Sequence, residues 1–183
     1  MQCCKMLLPM WLAFAFWPAT LSAQLASGPA EGSKLQPLKV VAATGDDAGQ
    51  EVDAAKGREG KPTVFVFVQH KTWDRPVARF LRTLDDELVQ RNDGTRAVAV
   101  WLTDDVDAAK EYLPRAQQSL DLKATDWTVH PGDTSGPAEW GINADAHVTA
   151  VIARDQQVTA SLAWRSLNET DVPAVLEKLK AKE

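Results

Sequence analysis

Past its fourth residue the chain contains no cysteine: its two, Cys3 and Cys4, both lie at the start. The remainder therefore offers no thiol nucleophile, no thiolate metal ligand and no disulfide, and thiol–disulfide exchange, which needs a thiolate attacking sulfur, is excluded there. Basic residues are the scarcer charge, 20 against 25 acidic ones, and they are interspersed rather than clustered. With a net charge of −5 and no basic patch, a phosphate backbone finds little to hold it, so nucleic acid is not an expected partner. There is no Gly-x-Ser-x-Gly elbow and no phosphate-binding glycine loop. The acidic pairs Asp46-Asp47, Asp85-Asp86 and Asp104-Asp105 lack the alternating spacing of a calcium loop. Asp85-Asp86 reads as the solvated face of a helix and Asp104-Asp105 as a helix cap.

The first 23 residues carry the pattern of an export signal. Lys5 supplies a positive charge, Met6–Pro18 is apolar, and Ser22-Ala23 offers small residues for cleavage before Gln24. The apolar run is short and broken by prolines, which disfavours a transmembrane helix. The expected destination is the periplasm or the cell exterior, with membrane contact only if the signal stays uncleaved. Residues 24–37, rich in Ser, Gly, Ala and Pro, are expected to be a spacer, and 38–183 a single domain large enough to build a core without disulfide staples.

Within that domain, Leu38–Thr44 reads as a first strand, and Val52–Lys56 as a single turn. Thr63–Val68 (TVFVFV) is short, almost wholly apolar, and rich in β-branched and aromatic residues, as a central strand buried on both faces should be. Val77, Phe80, Leu81, Leu84 and Leu88 recur at steps of three and four and predict an amphipathic helix, capped by Thr72 or Asp74. Arg96–Leu102 predicts a second buried strand. A helix over about 105–119 should bend or restart at Pro114. Ala124–Val129 predicts a strand, 137–141 a short helical turn, and Val148–Ala153 with Val158–Trp164 a hairpin turning at Asp155-Gln156-Gln157. Val172, Val175, Leu176 and Leu179 stripe a last helix, capped by Ser166 or Asn168 with Glu169 and Asp171 in its first turn. A β-α-β opening followed by a hairpin and a helix implies an α/β fold, a mixed sheet with helices on both faces.

This element order resembles the thioredoxin-like superfamily over about residues 38–180, in the form found in exported thiol-disulfide oxidoreductases and peroxiredoxins. Gly60–Val68 (GKPTVFVFV) resembles the strand leading to their active site, and Trp73-Asp74-Arg75-Pro76-Val77 resembles their Trp-Cys-Gly-Pro-Cys motif. Trp140-Gly141-Ile142 resembles the aromatic-Gly-Val before their cis-proline. The resemblance implies a three-layer sandwich and a substrate-receiving edge beside the motif. The departures fall on that edge: Asp74 and Val77 stand at the two cysteine positions, His147 stands at the proline, and the connection from Phe67 to Trp73 is about two residues longer than usual.

The three histidines, His70, His130 and His147, are all expected at strand ends on that edge, with Asp74 beside His70. If they converge, they could bind zinc or copper through imidazole and carboxylate, though no local spacing motif supports this; otherwise they are separate loop histidines. Five tryptophans follow the signal. Trp101 and Trp164 read as core, while Trp73 and Trp140, with Trp127 close by, fall in the segments around the edge and can line a recognition surface. The leading expectation is a redox-inactive, non-catalytic domain with no cofactor, binding a protein or peptide through His70, Trp73, Asp74, Trp140 and His147. The alternative is a metal-binding protein using His70, His147 and Asp74, with His130 as a fourth ligand.

Overall fold

The computed structural model describes residues 25–56, 60–132 and 134–180. The expected export signal lies outside the described residues. The strands are β1 (Lys39–Ala42), β2 (Glu51–Asp53), β3 (Thr63–Gln69), β4 (Arg96–Leu102), β5 (Thr125–His130), β6 (Val148–Arg154) and β7 (Gln157–Trp164); the α-helices are α1 (Arg75–Arg91), α2 (Val106–Leu120) and α3 (Val172–Lys180). They build one mixed sheet in the order β2-β1-β5-β4-β3-β6-β7. β3, β4 and β5 are parallel, while β1, β6 and β7 pair antiparallel with their neighbours.

β3 is buried along its whole length. Its alternation divides the core: Val64, Val66 and Val68 face one apolar cluster and Phe65 and Phe67 the other. From β3 the chain steps twice in the same direction, to β4 through α1 and to β5 through α2. Right-handed crossovers in one direction place both helices on one face. α3 returns to that face, adding Val172, Val175 and Leu179 to the cluster that holds Val77, Phe80, Leu81, Leu84 and Leu88 of α1. On the second face the helical cover among the described residues is one 3₁₀ turn, Ala138–Trp140, flanked by Leu35, Leu38 and Ala55. The mixed α/β sandwich anticipated from the sequence is therefore present, with its second outer layer thinned to that turn and extended chain.

Four local expectations need correction. Val52 belongs to β2, which pairs antiparallel with β1, and the expected turn follows it at Ala54-Ala55. α2 runs unbroken through Pro114, its Ala109, Leu113 and Ala116 buried, so it does not restart there. Asp85 is not solvated: it is buried, and its two oxygens accept from the backbone N–H groups of Lys123 and Ala124 at 2.9 and 2.8 Å. It thereby ties α1 to the segment that leads into β5.

Residues 25–37 are a strap rather than a spacer. Gly32 N–H donates to Val158 O at 2.8 Å, Val158 N–H to Ser33 O at 2.9 Å, and Leu35 N–H to Gln156 O at 2.8 Å, all at the start of β7. Ser27 Oγ meets Thr149 Oγ1 at 2.7 Å and accepts from Asn143 N–H at 2.9 Å. Gly28 is required here, since its φ is +90° and a Cβ would lie 2.9 Å from Ser161 Oγ. Sequence composition suggested a linker because these contacts run through backbone and hydroxyl groups, which carry no hydrophobic period.

Candidate binding site

β3 delivers the chain to the edge of the sheet, where a 3₁₀ turn, His70–Thr72, takes up the extra length of the connection. Thr72 Oγ1 donates to Gln69 O at 3.2 Å, and Trp73 N–H to His70 O at 3.2 Å, which sets Trp73 at the entrance to α1. Asp74 is the N-cap: its carboxylate accepts from Val77 N–H at 3.0 Å. Val77 points into the core and is buried. Asp74 and Val77 thus start a helix and anchor it.

Trp101 on β4 and Trp127 on β5 project to the same face of the sheet, and Trp73 lies across both. Ring centroids are 5.3 Å apart for Trp73–Trp101, 5.6 Å for Trp73–Trp127 and 5.6 Å for Trp101–Trp127. The interplanar angles are 69°, 80° and 79°, so each pair meets edge to face, the arrangement the ring quadrupole favours. Trp101 and Trp127 are buried and Trp73 is half-buried. The buried Trp127 Nε1–H has no oxygen or nitrogen partner among the described residues, and aromatic rings on two sides are its neighbours.

α2 completes the layer with a residue that sequence reasoning passed over. Tyr112 Oη accepts the Trp73 Nε1–H at 2.8 Å, and its ring lies 5.9 Å from Trp101. It is 40% exposed, one of two large apolar side chains so exposed among the described residues. The signal for it was its place beside the buried stripe: it directly precedes Leu113 and stands three residues after Ala109, on the border of the face that packs on the sheet. His70 joins the same layer, its ring 5.6 Å from Trp101.

Two open hollows flank the Trp73–Tyr112 pair. The first, about 390 Å³, is lined by His70, Trp73, Trp101, Thr103, Asp105, Ala108, Ala109 and Tyr112. The second, about 620 Å³, is lined on its polar side by Asp74, Arg75, Arg115 and Ser119.

Trp140 and His130 lie on the opposite face, whereas His147 stays beside the turn before α1, its carbonyl also accepting from Thr72 Oγ1 at 3.4 Å. Trp140 is fully buried on the opposite face, 5.1 Å from both Phe65 and Phe67, with Nε1–H donating to Pro37 O at 3.2 Å. Its expected place in a recognition surface is corrected: with no α-helix on that face among the described residues, the indole fills the space a helix would cover. His147 is half-buried; its N–H donates to Trp164 O at 2.9 Å and its carbonyl accepts from Gln69 N–H at 3.2 Å. Neighbouring Ala146 N–H donates to Asn143 O at 3.0 Å. The backbone edge at the expected proline position is thus engaged internally. His130 ends β5 on the second face, against Gly132 and a hollow that also holds Lys39 and Glu139. His70 stands on the Trp101 side instead. Among the described residues no set of three or more His, Cys, Asp or Glu side chains is gathered to hold a metal ion, and the structure does not bring His70, His130, His147 and Asp74 to a common point.

Solved structures share this architecture. A provisionally assigned thiol:disulfide interchange protein, DsbE, from Chlorobium tepidum superposes with a TM-score of 0.61 at 17% identity, covering 83% of this chain and 96% of its own. The fold is thioredoxin-like. A thioredoxin-like protein from Porphyromonas gingivalis gives a TM-score of 0.60 at 14% identity, over 82% and 92% of the two chains. The exposed lipoprotein thioredoxin Etrx1 of Streptococcus pneumoniae gives 0.55 at 12%, over 78% and 99%. At these identities the likeness establishes fold alone. No protein-family model matches the sequence, and no curated protein matches it. Trp73 directly precedes Asp74, the N-cap of α1, and Val77 lies in the first turn of that helix.

Proposed function

We propose that this thioredoxin-like chain is a non-catalytic, exported binding domain that engages a protein or peptide at the surface around Trp73 and Tyr112. The observation that carries this reading is the hydrogen-bonded Trp73–Tyr112 pair, partly exposed between two hollows and seated on two buried tryptophans. Aromatic side chains held rigid by packing lose little conformational freedom on binding and give large contact area, which is why they dominate recognition energetics. The missing sulfur supports the non-catalytic half: Asp74 serves as a cap and Val77 as core, so neither position holds a group that can cycle between thiol and disulfide. His70 and Asp74 remain at the rim of this surface, while Trp140 leaves it. Export rests on Lys5 and the apolar run after it; among the described residues no helix is long and apolar enough to cross a membrane.

Selection of displayed peptides on the purified protein tests the reading. Enriched peptides should bind the native chain at least about tenfold more tightly than a Tyr112→Ala variant, roughly 1.4 kcal/mol, with the circular dichroism of the two unchanged. Peptides that bind both proteins equally, or reduction of insulin by the purified protein alone, would overturn it.

A further inference from the structure

The two hollows share the Trp73–Tyr112 wall but carry opposite charge. Counting histidine as neutral, Asp105 is the one formally charged residue lining the hollow over Trp101, whereas the hollow on the α1 side is lined by Arg75 and Arg115 against Asp74. Neither arginine is ion-paired among the described residues; Arg115 Nε donates to the carbonyl of Glu111 in its own helix. A cation is therefore disfavoured in the arginine hollow and favoured in the other.

We propose that the hollow lined by Trp73, Trp101, Tyr112 and Asp105 is an aromatic cage for an alkylated ammonium group. This names the ligand chemistry of the surface described above and rests on that reading. Trp73 and Tyr112 border the hollow as partly exposed walls, with buried Trp101 as its floor and the His70 ring at its rim; the inclinations are 69° between Trp73 and Trp101 and 39° between Trp101 and Tyr112, so the π-faces do not lie in one plane. The hydrogen bond from Trp73 Nε1 to Tyr112 Oη locks two of these rings to each other before any ligand arrives. A cation within about 6 Å of such ring centroids is held by their quadrupoles. Asp105 adds the counter-charge: Oδ1 is occupied by Ala108 N–H at 2.9 Å, and Oδ2 takes no hydrogen bond among the described residues. An alkylated ammonium suits this set better than a bare ammonium. The hollow offers one carboxylate and several apolar walls, and methyl groups lower the hydration that a cation must shed to enter.

Calorimetric titration of the purified protein tests this, comparing choline with 3,3-dimethyl-1-butanol, its uncharged isostere. Choline is expected to saturate in the millimolar range or tighter and to bind about tenfold more tightly than the isostere. Tyr112→Leu should abolish that preference. Asp105→Asn, which keeps a good helix cap, should weaken choline severalfold, and Arg115→Ala should not weaken it. A peptide carrying trimethyllysine, run beside its unmethylated form, separates the sources: tighter binding than choline assigns the group to a modified protein, equal binding to a small amine. Equal affinity for choline and the isostere overturns the cage, as does saturation by neither cation. If displayed peptides still require Tyr112 in that case, the recognition surface stands and only its ligand class falls. If Tyr112 is dispensable for peptides as well, both readings fall.

Discussion

Trp140 and Trp73 are carried by connections at the same end of the sheet, yet they fare oppositely. Trp140 is sealed against Phe65 and Phe67 on a face that has no α-helix over it among the described residues. Trp73 lies on a face already covered by α1 and α2, and it stays half-exposed at their seam, with its indole N–H bonded to Tyr112. The difference teaches that a tryptophan in a connection becomes core where the layer above the sheet is thin. Where helices have already closed the layer, it remains available to a partner.

The largest effect should come from breaking the sealed side. Trp140→Ala removes the main filler of the second face and should lower unfolding free energy by about 3–5 kcal/mol in urea denaturation. The folded fraction should still bind the peptides selected on Trp73 and Tyr112. Loss of that binding in folded variant protein would mean that the two faces are not independent.

Asp85→Ala comes next. It leaves the buried backbone N–H of Ala124 and the partly buried one of Lys123 without acceptors, at about 1–3 kcal/mol for the buried group and less for the other. Because this tether sits just before β5, which carries Trp127, it tests whether the exposed pair depends on its buried base. Near-ultraviolet circular dichroism of the tryptophans should change along with stability.

Tyr112→Phe is milder. It deletes only the acceptor for Trp73 Nε1–H, which can turn to water, so stability should fall by about 1 kcal/mol or less. A drop as large as that for Trp140→Ala would show that Tyr112 is core rather than rim.

The smallest effect calibrates both faces together. Partial burial raises the Asp93 pKa, but hydrogen bonds from Thr95 and Arg91 outweigh it and bring it down to about 2. A carboxyl whose folded pKa is depressed contributes stability that is full above the ordinary carboxylate range and is lost as pH falls through about 2. Asp93→Asn should therefore flatten stability between about pH 4 and 2, modestly, because the carboxyl is 37% exposed.

The central architecture was legible because it is written in periods. β3 is a run of apolar β-formers, α1 repeats at three and four, and turn residues bound the hairpin of β6 and β7. Asp85 was misread because its neighbour Asp86 is exposed, and sequence cannot tell which member of an acidic pair turns inward. Tyr112 was missed because its role depends on a hydrogen bond spanning 39 residues of sequence. Trp140 was placed on the wrong side of the question for a related reason: the motif located its connection but not the face onto which that connection folds.

The amino-acid sequence alone determined the missing sulfur from the fifth residue onward and the order β3, α1, β4, α2, β5, β6, β7, α3, since each follows from composition or from periods within a few residues, while it left the α1 cap between Thr72 and Asp74 and missed β2. Tertiary structure alone decided which tryptophans are buried, that residues 25–37 strap the sheet, and that Trp73 and Tyr112 meet between two hollows of opposite charge. Those outcomes depend on which face each crossover reaches and on contacts between residues far apart in the chain, and neither is encoded in any local period.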